Sequence, residues 1–260
     1  MPAAILLLFV ALLGGSDDRW EKSFPISATG DLKIKTSDAN VTTTAWDKNE
    51  ILVRVTAKDR KVGDGGVGIV DTQVGDNVDI KVSMPKIDFH IGLHTRPVNI
   101  EVFAPRSARL NLETRDGKIA VNGAKGDLTL KAGDGDISVQ GVEGSLSATA
   151  GDGSIKGDGR FDHLRVRTGD GRVEISAVQG STIASPWQLQ TGDGRLTLRL
   201  PSNLDADVKL KTRDGHINLQ LPLAVTGRVK GKSIAGRLNR GGGLVSAESG
   251  DGSIHIESSK

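Results

Sequence analysis

The chain has 260 residues, of which 37% are apolar and only 3% aromatic, and it contains 34 glycines and no cysteine. The lack of cysteine excludes disulfides, thiolate catalysis, iron–sulfur clusters and cysteine-ligated zinc. The 34 basic and 32 acidic residues leave a net charge of +2, which argues against a strongly basic nucleic-acid-binding domain. With so few rings, the chain suits a thin core of Leu, Ile and Val.

The first segment, residues 1–16, contains an unbroken apolar run from Ala3 to Leu13 that ends in Gly14-Gly15-Ser16. This run is shorter than the roughly 20 apolar residues needed to span a bilayer. It matches the apolar region of a signal peptide, although no Lys or Arg precedes it. The segment therefore predicts a signal peptide or a short N-terminal anchor, and export to the periplasm, cell surface or medium. A buried terminal strand is the alternative.

Residues 21–102 contain alternating strand patterns such as Ile51–Val55 and one degenerate corner at Asp38. We expect them to form an N-terminal β cap with the first coils, because an open solenoid end needs its strand edges covered. We also expect them to form one continuous domain with residues 103–260.

The dipeptide Asp-Gly punctuates the rest of the chain at regular intervals. The first three intervals are 18 residues each, and the later ones are 23, 21 and 37. In nearly every copy, apolar residues stand six and four positions before the Asp and three and five positions after it. The copies are Asp116–Gly117, Asp134–Gly135, Asp152–Gly153, Asp170–Gly171, Asp193–Gly194, Asp214–Gly215 and Asp251–Gly252.

Apolar pairs of period two predict short strands with one buried face. In the regular stretch the pairs recur every nine residues, which gives two strands and two turns per coil of about 18 residues. Equivalent strands of successive coils then run parallel, about 4.8 Å apart. The sequence therefore predicts an all-β fold, a parallel β-solenoid (β-helix) over residues 103–260, wound right-handed as parallel crossovers are. A stack of separate β-hairpins is the alternative.

We interpret the Asp-Gly residues as a structural turn ladder. Glycine after every Asp suggests a position with positive φ, where a Cβ would cost energy. Each Asp is expected to accept hydrogen bonds from the N–H groups of its own turn, as in an Asx turn.

Neither a calcium site nor a zinc site is favoured. One carboxylate per corner is too few for a calcium cage of six or more oxygens. Asp88, His90 and His94 share one face of a strand, but Gly92 separates the two histidines and a solvated face is favoured over zinc. His163, His216 and His255 are isolated. No metal and no cofactor are predicted.

A basic stripe is predicted on the outward positions of the strands that precede the corners. It could lie along a polyanion such as a lipopolysaccharide core or an acidic glycan, with salt-sensitive affinity. A charged, solvated face is the alternative. The stripe consists of Lys131, Arg165, Arg167, Lys209 and Lys211.

Some β-helical proteins are polysaccharide lyases or hydrolases, which need paired acids in a cleft with aromatic walls. Here Trp20, Trp46 and Trp187 are scattered and the loops are short. We therefore predict that the chain is not an enzyme, and a carbohydrate-active enzyme is the third hypothesis.

Several segments resemble a known family. The segments Phe24-Pro25-Ile26, Glu50–Val53 and Leu200–Val208, together with the Thr-Gly-Asp-Gly corners, are similar to the bacterial putative-adhesin domain family. The resemblance covers roughly residues 21–257. It implies a β-solenoid in exported or envelope-associated bacterial proteins, with an adhesion role, and it brings no catalytic residues.

The leading hypothesis is an exported, non-catalytic solenoid that presents its sheet faces to an envelope glycan or surface protein. It predicts no nucleic-acid partner and no transmembrane span in the mature chain. The alternative is a self-assembling, bactofilin-like polymer that stacks end to end. This alternative rests on the strand Ile254–Glu257, which has almost no sequence after it to cap the last coil.

Overall fold

The computed structural model describes residues 18–58, 60–85, 97–221, 224–225 and 232–259. Within these ranges the chain forms 21 strands and no helix. The strands are β1 Arg19–Pro25, β2 Asp31–Thr36, β3 Ala39–Trp46, β4 Glu50–Thr56, β5 Gly68–Val74, β6 Asn77–Ser83, β7 Val98–Pro105, β8 Arg109–Glu113, β9 Ile119–Asn122, β10 Lys125–Lys131, β11 Ile137–Thr149, β12 Ile155–Thr168, β13 Val173–Ala177, β14 Trp187–Thr191, β15 Leu196–Leu200, β16 Ala206–Thr212, β17 Ile217–Leu219, β18 Ala224–Val225, β19 Ser233–Leu238, β20 Gly243–Ser249 and β21 Ile254–Ser258.

The strands form two facing sheets, one on each side of the Asp-Gly corners. The first sheet contains the strands before the corners, in the order β5, β6, β2, β8, β10, β11, β12, β14, β20, β16, β19, β18. The second sheet contains those after the corners, in the order β1, β4, β7, β3, β9, β11, β12, β13, β15, β21, β17.

The predicted all-β, solenoid-like architecture is confirmed. Successive coils pair in parallel at equivalent positions, so that Leu110 lies opposite Leu128, and Leu128 opposite Leu146. The ends differ from a purely parallel solenoid, because β1, β4 and β5 at one end and β19 and β18 at the other pair antiparallel. Antiparallel strands can double back over a coil and so cover its edge. The right-handed winding stays a prediction.

Two coils depart from the expected pair of short strands. β11 and β12 each run through both sheets as one bent strand, which joins the two sheets into a single 21-stranded sheet. In β11 the register shifts between Val139 and Val142, next to Gly141 with a φ of 58° and Gly144 with a φ of 110°. These glycines let the chain bend without ending the ladder to its neighbour.

At both ends, the order of coils in the stack differs from their order in the sequence. The coil made by β2 and β3 lies between β6–β7 and β8–β9. The coil made by β20 and β21 lies between β14–β15 and β16–β17. The expectation that Ile254–Glu257 leaves the last coil uncapped is therefore wrong, because β21 is paired on both sides.

The Asp-Gly corners of neighbouring coils touch through their backbones. A Cβ added to Gly153 would lie 2.0 Å from the carbonyl oxygen of Gly135, and one added to Gly135 would lie 1.8 Å from that of Gly117. The contact recurs at the other corner glycines, with distances of 1.8–2.1 Å. None of the corner glycines has a positive φ. The expected reason for glycine here, a left-handed conformation, is wrong; the cause is close approach between coils.

Threonine hydroxyls, rather than aspartate carboxylates, form the side-chain hydrogen bonds at several of the corners. The buried Thr212 Oγ1 accepts a hydrogen bond from the N–H of Gly215 at 3.0 Å, and the Thr168 Oγ1 donates to the carbonyl oxygen of Gly153 at 2.7 Å. Among the described residues, the carboxylates of the corners from Asp134 to Asp193 make no side-chain hydrogen bond to their own turns, so the Asx-turn expectation is wrong there. At Thr212 the hydroxyl two residues before the Asp both accepts from its own turn and donates to the adjacent coil. Thr168 and Thr191 only donate to the adjacent coil. The corners at Asp134 and Asp152 have alanine in this position.

The core between the sheets is thin and aliphatic, as the composition predicts. Inward side chains such as Leu112, Leu130 and Ile137 are fully buried. Two rings enter the core together, on β12 and on β14. Phe161 and Trp187 meet edge to face, with their centroids 6.4 Å apart.

Substitution of Gly153 tests the cause of the glycine requirement. We expect Gly153→Ala to lower the free energy of unfolding by about 3 kcal/mol, because the methyl group would overlap a backbone carbonyl that cannot move alone. Gly141→Ala is the matched control, since Gly141 has a positive φ but no heavy atom within 4 Å of an added Cβ. It should cost only about 1 kcal/mol. Urea denaturation of both variants checks this, and equal losses would contradict the close-approach explanation.

Candidate functional site

The outer face of the first sheet carries the predicted basic stripe. Strand alternation points Leu and Val inward and leaves every second side chain in solvent. Lys131 lies on β10, Arg165 and Arg167 on β12, and Lys209 and Lys211 on β16, and all five are exposed. Within the described part of the chain none of the five forms an ion pair. The structure thus brings them to one face, as predicted.

The stripe is interrupted in a way that the sequence does not indicate. β20 lies between β14 and β16, so Glu248 stands opposite Gln190 on one side and Lys211 on the other. Ser246 takes the equivalent place beside Lys209. The basic residues therefore form two groups, a central group on β10 and β12 and a distal pair on β16.

Shallow grooves run along this face. The first has a volume of about 640 Å³ and extends from β5 to β10, and the second, of about 570 Å³, extends from β10 to β14. Both are lined by Asp127 and Thr129, so together they form one trough across eight strands, which spans about 34 Å at the usual strand spacing. A third groove of about 390 Å³ lies beside the corners and is lined by Arg167 and Lys211.

The two halves of the trough differ in charge. In the first half, Arg109 pairs with Asp31 at 2.8 Å and Lys33 with Asp79 at 3.1 Å. In the second half Arg165 is unpaired among the described residues. Hydroxyl, amide and imidazole groups line the two halves, from Thr72, Asn77, Asn111, Thr129, Ser145, Ser147, His163 and Gln188. The sequence analysis predicted Thr129, Ser147 and Gln188 on this face, as polar neighbours of the basic stripe. It missed Thr72, Asn77, Asn111 and Ser145, which become part of the lining only when the strands are stacked.

The outer face of the second sheet pairs many of its charges. Arg199 bridges Glu174 at 2.7 Å and Glu257 at 3.1 Å. The hydrogen bond that Arg199 donates to Glu174 holds the pKa of Glu174 below its ordinary value. Arg195 on the same side is exposed and has no ion pair in the described ranges. Trp46 and Phe103 also meet on this face, with centroids 5.4 Å apart.

The corner carboxylates form a column along one edge of the stack. Its order is Asp38, Asp116, Asp134, Asp152, Asp170, Asp193, Asp251, Asp214, because β20–β21 precedes β16–β17 in the stack. Basic residues stand beside its far end, where Arg213 contacts Asp251 at 2.8 Å and Lys232 contacts Asp214. At the near end the pKa of Asp116 is raised, first by a hydrogen bond with Asp38 and then by desolvation.

The other histidine and metal candidates do not come together. Among the described residues no three His, Asp or Glu side chains are grouped so that they could hold a metal ion. His163 lies in the trough, whereas His216 and His255 lie on or next to the second sheet. Asp88, His90 and His94 lie outside the described residues, as do residues 1–16.

Comparison with known proteins gives a family and a fold. The sequence model of the family described as Toastrack DUF4097 matches residues 29–257. A crystal structure described as a putative adhesin from Bacteroides fragilis NCTC 9343 has a TM-score of 0.56 at 12% identity, covering 93% of this chain and 98% of that chain. The family resemblance inferred from the residues is confirmed by these matches. No curated protein is significantly similar to the chain.

Two further solved structures match with lower scores. One is described as a putative adhesin from Parabacteroides merdae ATCC 43184, with a TM-score of 0.40 at 12% identity, over 93% of this chain and 97% of that chain. The other is described as a putative cell adhesion protein from Clostridium sporogenes ATCC 15579, with a TM-score of 0.39 at 14% identity, over 93% of this chain and 100% of that chain. Within the described ranges, the structure contains no helix of the length and apolarity that a membrane crossing requires.

The acidic pair at the near end of the column predicts a pH dependence. The raised pKa of Asp116 means that the folded state keeps a proton that the unfolded chain has lost, so the stabilisation by this proton disappears as pH rises through the folded-state pKa. Asp38→Asn removes the neighbouring negative charge and should therefore raise the thermal midpoint at neutral pH. The gain in the free energy of unfolding should be less than about 1 kcal/mol, because the pair is exposed. The gain should vanish near pH 4 or below. A gain that is equal at both pH values would contradict the assignment.

Proposed function

The chain belongs to the Toastrack DUF4097 family, and from that premise we propose that it is an exported, non-catalytic binding protein of the bacterial envelope. In this proposal it is adhesin-like and holds an extended anionic glycan along the outer face of the first sheet. The trough shared by the two grooves carries the proposal, because its length suits a chain-like ligand better than a compact one.

The chemistry of the trough supports a glycan. Hydroxyl and amide side chains at regular strand spacing can exchange hydrogen bonds with the repeated hydroxyl groups of a sugar chain. Arg165 in the trough and Arg167 in the third groove beside it are exposed and unpaired among the described residues. A guanidinium can form two parallel hydrogen bonds with a carboxylate or sulfate. A negatively charged glycan would therefore gain ion pairs without breaking any that exist.

The trough also supports a non-catalytic role. Glycoside hydrolysis needs two carboxyl groups that are free to act on the same bond. Of the three trough carboxylates, Asp31 is bound by Arg109, and Asp79 lies beside Lys33. Only Asp127 has no ion pair among the described residues, and one carboxyl group is too few. The enzyme hypothesis would have to break these ion pairs. The polymer hypothesis loses the observation on which it rested, because β21 has neighbours on both sides.

Binding to defined polysaccharides tests the proposed ligand class. We expect polygalacturonate or dextran sulfate, but not neutral dextran, to bind in isothermal titration calorimetry, with affinity that falls as salt rises. Arg165→Glu combined with Arg167→Glu should weaken binding by about tenfold or more, which corresponds to about 1.4 kcal/mol. Arg172→Glu combined with Arg195→Glu is the matched control, since it reverses two exposed arginines that directly precede strands of the second sheet. Equal binding of dextran, or an equal loss in the control, would overturn the proposal.

Export is tested separately by the fate of the N-terminal segment. Cell fractionation and intact mass of the native protein should place the chain in the envelope or medium, with about 15 residues removed. An intact terminus on a cytosolic protein would contradict export while leaving glycan binding to be judged on its own measurement.

A further inference from the structure

In the part of the chain that the structure describes, the first sheet ends at β5. Among the described strands, β5 pairs only with β6, through a hairpin whose two-residue turn has Gly75 at a φ of 58°. A glycine with positive φ at the first turn position is typical of a type II′ turn, in which the flanking residues Val74 and Asn77 exchange hydrogen bonds. Counting back from Val74, every second residue of β5 then forms backbone hydrogen bonds with β6. The backbone groups of Ile69, Asp71 and Gln73 therefore face the free edge.

This edge is more apolar than a sheet edge usually is. Val70 and Val74 are 65% and 71% exposed, whereas the next most exposed large apolar side chain among the described residues, Val178, is 38% exposed. Both valines stand on the outer face, with Thr72 between them. β5 contains no proline and no lysine, the residues that commonly protect an edge strand from pairing.

The inward-facing polar side chains of β5 already have partners. Lys22 of β1 forms an ion pair with Asp71, and the Gln73 side chain donates to the carbonyl oxygen of Pro25 at 2.7 Å. These contacts hold β5 against the second sheet and fix its direction. The strand is thus presented as a rigid edge, with its free backbone groups and its two valines facing outward.

We propose that β5 is the pairing edge for a second copy of this chain. Antiparallel pairing about a two-fold axis at Thr72 places Val70 of each copy opposite Val74 of the other, and Asp71 opposite Gln73. The valines then form non-hydrogen-bonded pairs, in which opposite side chains are closest. The strand is self-complementary in this register, which is the requirement for an isologous dimer.

The contact is small. One seven-residue strand pair buries less than the roughly 1,000 Å² typical of a stable interface, so the dimer is expected to be concentration-dependent. Sedimentation velocity should show the sedimentation coefficient rising with protein concentration. Val70→Glu combined with Val74→Glu should keep the chain monomeric, because the register would place like charges opposite each other. Val178→Glu is the matched control and should dimerise as the unmodified chain does.

A disulfide test fixes the register. The chain has no cysteine, so Thr72→Cys introduces the only thiol. At a non-hydrogen-bonded pair the two Cα atoms lie about 4.5 Å apart, within the range that a disulfide bridges. Mild oxidation should therefore give a covalent dimer from Thr72→Cys and little from Val178→Cys. A wild-type chain that stays monomeric at all concentrations, or equal cross-linking of the two cysteine variants, would overturn the proposal.

Discussion

The contact between corner glycines governs the rest of the structure. Each corner backbone lies against the carbonyl oxygen of the next, at a distance that leaves no room for a Cβ. Backbone hydrogen bonds hold neighbouring corners this close, such as the one from the N–H of Gly151 to the carbonyl oxygen of Gly133 at 2.6 Å. The strands on either side are therefore held in register from coil to coil. That register turns a simple alternation along the chain into an apolar core and two polar outer faces.

The thin core and the functional face have the same origin. Two sheets held this close leave room mainly for aliphatic side chains, and among the described residues only three rings, Phe24, Phe161 and Trp187, are fully buried between them. The outer positions are free to vary, because they contact only solvent and their strand neighbours. A trough that combines hydroxyl groups with the unpaired Arg165 can therefore occupy one face without cost to the core. Pairing through β5 would place two such faces on the same side of one sheet.

Much of this architecture could be predicted because the repeat is nearly regular. The equal spacing of apolar pairs indicates which residues face inward and which strands are equivalent, and the paired register of Leu110, Leu128 and Leu146 agrees with it. The cause of the glycine requirement could not be predicted, because a left-handed turn and a close backbone approach select the same residue.

The order of the coils could not be predicted either. The strands around Asp251 and those around Asp214 have the same apolar pattern, so the pattern does not determine which coil is next to the Asp193 coil. That order decides whether Glu248 interrupts the basic stripe. The half of the trough from β5 to β8 escaped sequence analysis for a related reason, since β2 lies between β6 and β8 in the sheet but far from both in the chain.

The position of the last coil has a mechanical consequence. A strand at the edge of a sheet can be peeled away with its hydrogen bonds breaking one after another. β21 instead lies between β15 and β17 with parallel ladders on both sides, so a force pulling on Ser258 along the strand loads many bonds of both ladders at once. Its neighbour β20 is held in the same way between β14 and β16. The C-terminal strands are therefore loaded in shear rather than by peeling when such a force acts on them.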